Sequence, residues 1–142
     1  MARDLLRFVE AHLGLIEVSP TLRRALPATQ PGQFQAGPMT QGLIWEWYPL
    51  AVSNNDLLVG HGDTMVLRPT PVIRLDPPRP PPAESLLTRT GATNGFGASV
   101  ALIPGRRIGL VVMANRNHPT ALRLALAQQA LAGRAVPGIP AR

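Results

Sequence analysis

Ser85-Leu86-Leu87-Thr88-Arg89-Thr90-Gly91-Ala92-Thr93-Asn94-Gly95-Phe96-Gly97-Ala98-Ser99-Val100-Ala101-Leu102-Ile103 is the stretch on which the fold reading turns. Ser85 to Thr90 reads as a strand, and Gly91 to Gly97 turns the chain. Ala98 to Ile103 and Ile108 to Asn115 then form a hairpin around Pro104-Gly105-Arg106-Arg107. The run Leu110-Val111-Val112-Met113-Ala114 is apolar on both faces, as in an interior strand covered on both sides. Thr120 to Ala132 follows as an Ala/Leu-rich helix with Gly133 after it.

Outward from that core the signals are local. Asp4 to Gly14 reads as a helix with Leu5, Leu6, Phe8, Val9 and Leu13 on one face. Ser19-Pro20 is an N-cap followed by proline at the first helical position, and Pro27 interrupts the helix it starts. Gly42 to Tyr48 alternates as a strand does, and Asp56 to Leu67 reads as two short strands around Gly60-His61-Gly62-Asp63. Pro71 to Ala83 is proline-dense and reads as an extended surface connector, with a ligand for a polyproline-reading domain as the alternative. The class is α+β, an antiparallel sheet with packed helices. The segments are helical over 1–36, short strands over 37–70, a connector over 71–84, three antiparallel strands over 85–118 and a terminal helix over 119–134.

At 142 residues with 45 % hydrophobic content, the chain makes one domain, or part of one, with a real core. It has no cysteine, which removes disulfide scaffolds, thiolate metal sites and thiol nucleophiles. The net charge is +6, yet all fourteen basic residues are arginine and never more than two stand together. Aromatics are only 4 %, so base-stacking surfaces are scarce and nucleic acid is not the expected partner. No apolar run approaches the length of a membrane span, and the first residues carry charges where a signal-peptide core would be apolar. As written, the chain would stay in the cytosol.

No complete active site is visible from residue chemistry. Ser19, Ser53, Ser85 and Ser99 lie in no G-x-S-x-G elbow, and without lysine no S-x-x-K pair exists. The single tyrosine, Tyr48, precedes Pro49-Leu50 and forms no Y-x-N element. His12, His61 and His118 lack metal-ligand spacing and read as surface or helix-face residues. No metal or other cofactor is expected.

The order of short motifs carries more. Met39-Thr40-Gln41-Gly42-Leu43-Ile44-Trp45-Glu46 is followed by the proline segment and then by Arg89-Thr90-Gly91-Ala92-Thr93-Asn94-Gly95-Phe96-Gly97. Ile103-Pro104, Ile108-Gly109 and Ala114-Asn115 come next. This order resembles the C-terminal part of a class C serine β-lactamase, from about Ala2 to Leu131. The resemblance implies a serine β-lactamase / DD-peptidase-like fold and β-lactam opening through an acyl-enzyme. The serine, lysine and tyrosine that react in that family lie N-terminal to anything present here. The chain thus resembles one wall of the active site without its reacting groups, a part that is inactive alone.

By the same resemblance, Arg89-Thr90-Gly91 takes the place of the family's K-T-G triad. The Ala92 backbone N–H takes the place of one oxyanion-hole donor. Arg89 keeps the charge of the lysine but cannot release a proton near neutral pH. Ala114 to Arg123 corresponds to the family's A-N-x-N-Y-P-N-x-x-R stretch, which places Asn117, Thr120 and Arg123 on the substrate side. From the residues alone, Asn115 and Asn117 also suit turn formation and helix capping, and Arg123 a solvated charge. The implied ligand is a β-lactam or an acyl-D-Ala-D-Ala-like molecule, and the intact family is periplasmic. A carboxypeptidase or esterase on the same fold, and a non-catalytic domain binding a ligand or a partner chain, remain the alternatives.

In the family fold, N-terminal strands join this sheet. Without them, the strand Ile108–Asn115 becomes an apolar edge, and the terminal helix with Leu122, Leu124, Leu126 and Leu131 lacks cover. The isolated chain is therefore expected to be marginally stable, with a broad denaturation profile. Calorimetry checks this; a sharp two-state melt of a monomer overturns it.

Overall fold

The period-2 alternation of the central strands sorts their side chains into two separate cores. In the computed structural model, which describes residues 2–133, strands β5 (Ser85–Ala92), β6 (Gly97–Ile103) and β7 (Ile108–Ala114) pair antiparallel in sequence. Leu86, Ala101 and Ile103 point to one face, and Leu87, Val100 and Leu102 to the other. The first face packs against helix α3 (Asn54–His61) through Leu57 and helix α5 (Thr120–Leu131) through Leu124. The second packs against helix α1 (Ala2–His12) through Val9 and against Leu13 just beyond it. Each fully buried leucine is worth about 1.5–3 kcal/mol relative to exposure, so both faces drive folding. The α+β class holds.

The sheet has seven strands in the order β4-β1-β2-β3-β5-β6-β7. Its remaining members are β1 (Gly32–Ala36), β2 (Met39–Gln41), β3 (Glu46–Pro49) and β4 (Ile73–Arg79). β7 ends the sheet, as expected, but it is not an interior strand: α1 and α5 cover its two faces while its outer edge has no strand among the described residues. The approach of α1 requires Gly109, because a Cβ there would overlap Val9 Cγ1.

Five local expectations change. Residues 32–36 are a strand rather than part of a helical segment, and residues 73–79 are its partner rather than a connector. Pro77 and Pro78 fit because β4 is the outer strand, and the pairing shifts register between Gly32 and Phe34. Residues 56–67 are not two strands but helix α3 and helix α4 (Asp63–Leu67). Ser53 caps α3: its Oγ accepts from the Asp56 N–H at 3.1 Å while its hydroxyl donates to the Asp56 carboxylate at 2.8 Å. Ser53-Asn54-Asn55-Asp56 is thus a helix-start signal that outweighs the apparent alternation. Within Gly42–Tyr48 only Glu46 onward is strand; Gly42 N–H donates to Trp45 C=O at 2.7 Å and closes the turn between β2 and β3. On α1, the buried line is Leu5, Val9 and Leu13, while Leu6 and Phe8 are exposed.

Ser19 does cap helix α2 (Pro20–Ala28), accepting from Leu22 N–H at 3.3 Å, and Pro27 sits in its last turn. Gly133 has φ of 68° after α5, as a helix-ending glycine should.

Two stability predictions follow from packing. A Cβ at Gly60 on α3 would overlap the buried Tyr48 hydroxyl, which has no hydrogen-bond partner among the described residues. Gly60→Ala gains about 1 kcal/mol of helix propensity but loses about 1–3 kcal/mol to overpacking, so it destabilises. Tyr48→Phe removes the orphan hydroxyl, stabilises by about 1 kcal/mol, and restores most of the Gly60→Ala loss in a double-mutant cycle read by urea titration.

The second concerns His12, wedged between Phe8 and Trp45 with ring centroids 4.5 and 4.9 Å away. Burial lowers its pKa from 6.5 to about 4. The unfolded chain therefore takes up this proton first, so the neutral ring's contribution is complete above pH 6.5 and is lost as pH falls toward about 4. Urea titrations across this range should show a shallower loss of stability for His12→Phe than for the unaltered chain.

Candidate functional site

β3 begins at Glu46, paired with Thr88, whereas the antiparallel β5 runs on past that pair to Ala92. Over its last four residues β5 has a strand neighbour only on the β6 side. Thr93 and Phe96 exchange backbone hydrogen bonds at 2.9 and 3.4 Å, and Ala92 pairs with Gly97 in the adjacent register position. Antiparallel ladders alternate the direction of their N–H groups. Ala92 N–H is therefore directed away from β6, into the space beyond the end of β3.

That space is a cleft of about 740 Å³. Arg89, Thr90, Gly91 and Ala92 line it from β5, and Thr120 and Arg123 from the start of α5. Asn117 is not among the lining residues; it lies with Asn115 on the exposed turn between β7 and α5. Glu46 and His61, which the motif reading did not assign to the site, line it as well.

Glu46 contacts both Arg89 and His61. Its Oε1 accepts from Arg89 Nη1 at 2.6 Å, and its Oε2 lies 3.1 Å from His61 Nδ1. The second contact is electrostatic rather than a well-aligned hydrogen bond, since Oε2 is buried without a hydrogen-bond donor. His61 Nε2 is 2.8 Å from the Thr88 hydroxyl, and Nδ1 is 3.4 Å from the Thr90 hydroxyl. His61 is buried, not a surface residue. It reaches the cleft as the last residue of the helix that Ser53 starts, which two strands over 56–67 would not provide.

Arg123 is also no solvated charge: the residue is 2 % exposed. It donates to His118 C=O and, at 3.1 Å, to Thr120 Oγ1. No carboxylate pairs with it among the described residues, and its Nε has no partner there. Gly97 makes room, since a Cβ at that position would stand 2.5 Å from Arg123 Nη1. The lining therefore carries two guanidiniums against the single carboxylate of Glu46, which favours an anionic ligand.

No serine lines the cleft. Ser85 and Ser99 are buried, and Ser19 and Ser53 cap helices. Tyr48 does not substitute as a proton acceptor: burial, then the charges of Glu46 and Asp56, push its phenol further above its usual value, so it stays protonated. The arrangement can bind and polarise; it holds no nucleophile among the described residues.

Comparison with known proteins accords with this geometry. The beta-lactamase family profile matches residues 1–134. A beta-lactamase of Lysobacter lactamgenus is 45 % identical over 130 residues, which cover 92 % of this chain and 34 % of that protein. The crystal structure of a D-alanine carboxypeptidase from Burkholderia cenocepacia superposes with a TM-score of 0.89 at 42 % identity, covering 94 % of this chain and 39 % of that one. A class C beta lactamase from Rhodobacter sphaeroides superposes with a TM-score of 0.80 at 40 % identity, over 87 % of this chain and 34 % of that one. The chain thus spans about a third of the length of the curated relatives it matches. With the motif order, the sheet and the profile in agreement, the chain belongs to the beta-lactamase family, with class C enzymes among its relatives.

Proposed function

We propose that this chain forms the substrate-binding wall of a serine hydrolase that opens β-lactams or cleaves D-alanyl peptides, and that alone it binds without hydrolysing. The observation that carries the reading is the convergence of Arg89, Thr90, Ala92 N–H and Arg123 on one cleft that no serine lines. In the reaction, a serine oxygen supplied by a region outside this chain attacks the amide carbonyl, and the carbonyl oxygen becomes an oxyanion. Ala92 N–H donates to that oxyanion. As the oxyanion collapses, the C–N bond breaks and the nitrogen takes up the proton the serine gave. The nitrogen departs as the amine of a peptide or stays tethered in an opened β-lactam. Water then attacks the acyl ester to release the acid and the serine.

Arg123 and the Thr90 hydroxyl hold the ligand carboxylate, which both substrate classes carry beside the scissile amide. Thr120 acts indirectly by accepting from Arg123. Arg89 contributes charge, though Glu46 shares that charge at 2.6 Å, and the guanidinium shuttles no proton. Asn117 receives no ligand contact in this reading.

The test is calorimetric titration of the chain with benzylpenicillin and with an N-acyl-D-alanyl-D-alanine peptide, with mass spectrometry of each mixture. Reversible binding of at least one, with no covalent adduct, is expected. Arg123→Gln should weaken it about tenfold or more, the value of a hydrogen bond to a charged group. An acyl adduct overturns the binding-only reading, and failure of both ligands to bind overturns the assignment of the cleft.

A further inference from the structure

We infer that His61 is the positioning residue of the cleft: a proton on its Nδ1 sets the Thr90 hydroxyl to donate toward the ligand. The inference rests on the reading of Thr90 as a ligand contact.

Three observations on the ring lead there. Nδ1 stands 3.1 Å from Glu46 Oε2, a buried carboxylate oxygen with no aligned hydrogen-bond donor of its own. The same nitrogen stands 3.4 Å from Thr90 Oγ1. Nε2 stands 2.8 Å from Thr88 Oγ1. A lone pair on Nδ1 would face an anionic oxygen at that short range, which is repulsive where little water screens it. A proton on Nδ1 turns the contact attractive. Nε2 of the neutral ring then accepts from the Thr88 hydroxyl, and both nitrogens are satisfied.

The consequence falls on Thr90. With Nδ1 protonated, Thr90 Oγ1 accepts on the His61 side, and its own O–H is free to point into the cleft. With Nδ1 bare, the Thr90 proton turns toward the ring, and the hydroxyl presents only lone pairs to a ligand. A carboxylate needs a donor, so the protonation of one ring nitrogen decides whether Thr90 attracts or repels it. Glu46 fixes that choice while its other oxygen holds Arg89 at 2.6 Å. One carboxylate thereby orients donors on both flanks of the ligand position.

The first experiment is nitrogen-15 NMR of the histidine rings in the unliganded chain. A proton on Nδ1 of His61 is expected; a ring carrying its proton on Nε2 alone overturns the inference. The second compares His61→Asn, which keeps an N–H donor near the Nδ1 position, with His61→Leu, which keeps none. Titrated with N-acetyl-D-alanyl-D-alanine, His61→Leu should bind about tenfold more weakly and His61→Asn within about twofold of the unaltered chain. Equal losses in both variants would reduce His61 to a packing role, and no loss in His61→Leu would remove it from the site; either outcome overturns the inference. If the unaltered chain does not bind the peptide, the ligand reading of the cleft fails, and the ring-proton measurement alone decides the inference.

Discussion

Strand β3 begins only at Glu46, and the rest of the cleft depends on that late start. Were β3 four residues longer at this end, the outer backbone groups of residues 89–92 would be consumed by a ladder. Instead β5 continues with one side open, so Ala92 N–H faces a cleft rather than a carbonyl. An unpaired strand segment is usually a hazard, because it templates pairing with other chains. Here Arg89, the α3 terminus and the start of α5 line the open segment, which leaves a cleft there rather than a bare edge.

The charges around this segment are held in place by packing. Burying a guanidinium costs several kcal/mol of hydration unless acceptors replace the water. For Arg123 those acceptors are His118 C=O and Thr120 Oγ1, and the missing side chain of Gly97 makes the space. Glu46 faces a similar cost, relieved by Arg89 on the solvent side and His61 on the interior side. Two cations are thereby presented to the cleft with fixed geometry. Preorganised groups of this kind bind without losing side-chain freedom at the moment of binding.

Legibility differed among the elements for physical reasons. The three strands within residues 85–115 read correctly as strands because alternation, turn chemistry and β-branched residues agree there, although the apolar run of β7 hid its place at the edge of the sheet. Residues 56–67 misled because apolar residues at mixed spacing hide a helix whose start rests on the Ser53–Asp56 reciprocal cap. Residues 73–79 misled because proline content usually forbids a ladder, while an outer strand needs fewer N–H donors. Six of the predicted site groups line one cleft: Arg89, Thr90, Gly91, Ala92, Thr120 and Arg123. Asn117 stands outside the lining on the exposed turn, as its turn-forming chemistry allows.

By itself the sequence determined the α+β class, the central strands, the family resemblance and the absence of cysteine and lysine. These follow from local periodicity, residue chemistry and motif order, which need no knowledge of what packs against what. Only the tertiary structure decided that His61 and Glu46 belong to the cleft and that Arg123 is buried rather than solvated. It also decided that the Ala92 N–H is turned toward open space. The reason is common to all of them: each depends on where a neighbouring element stops or approaches, and contacts between residues tens of positions apart leave no periodic trace in the chain.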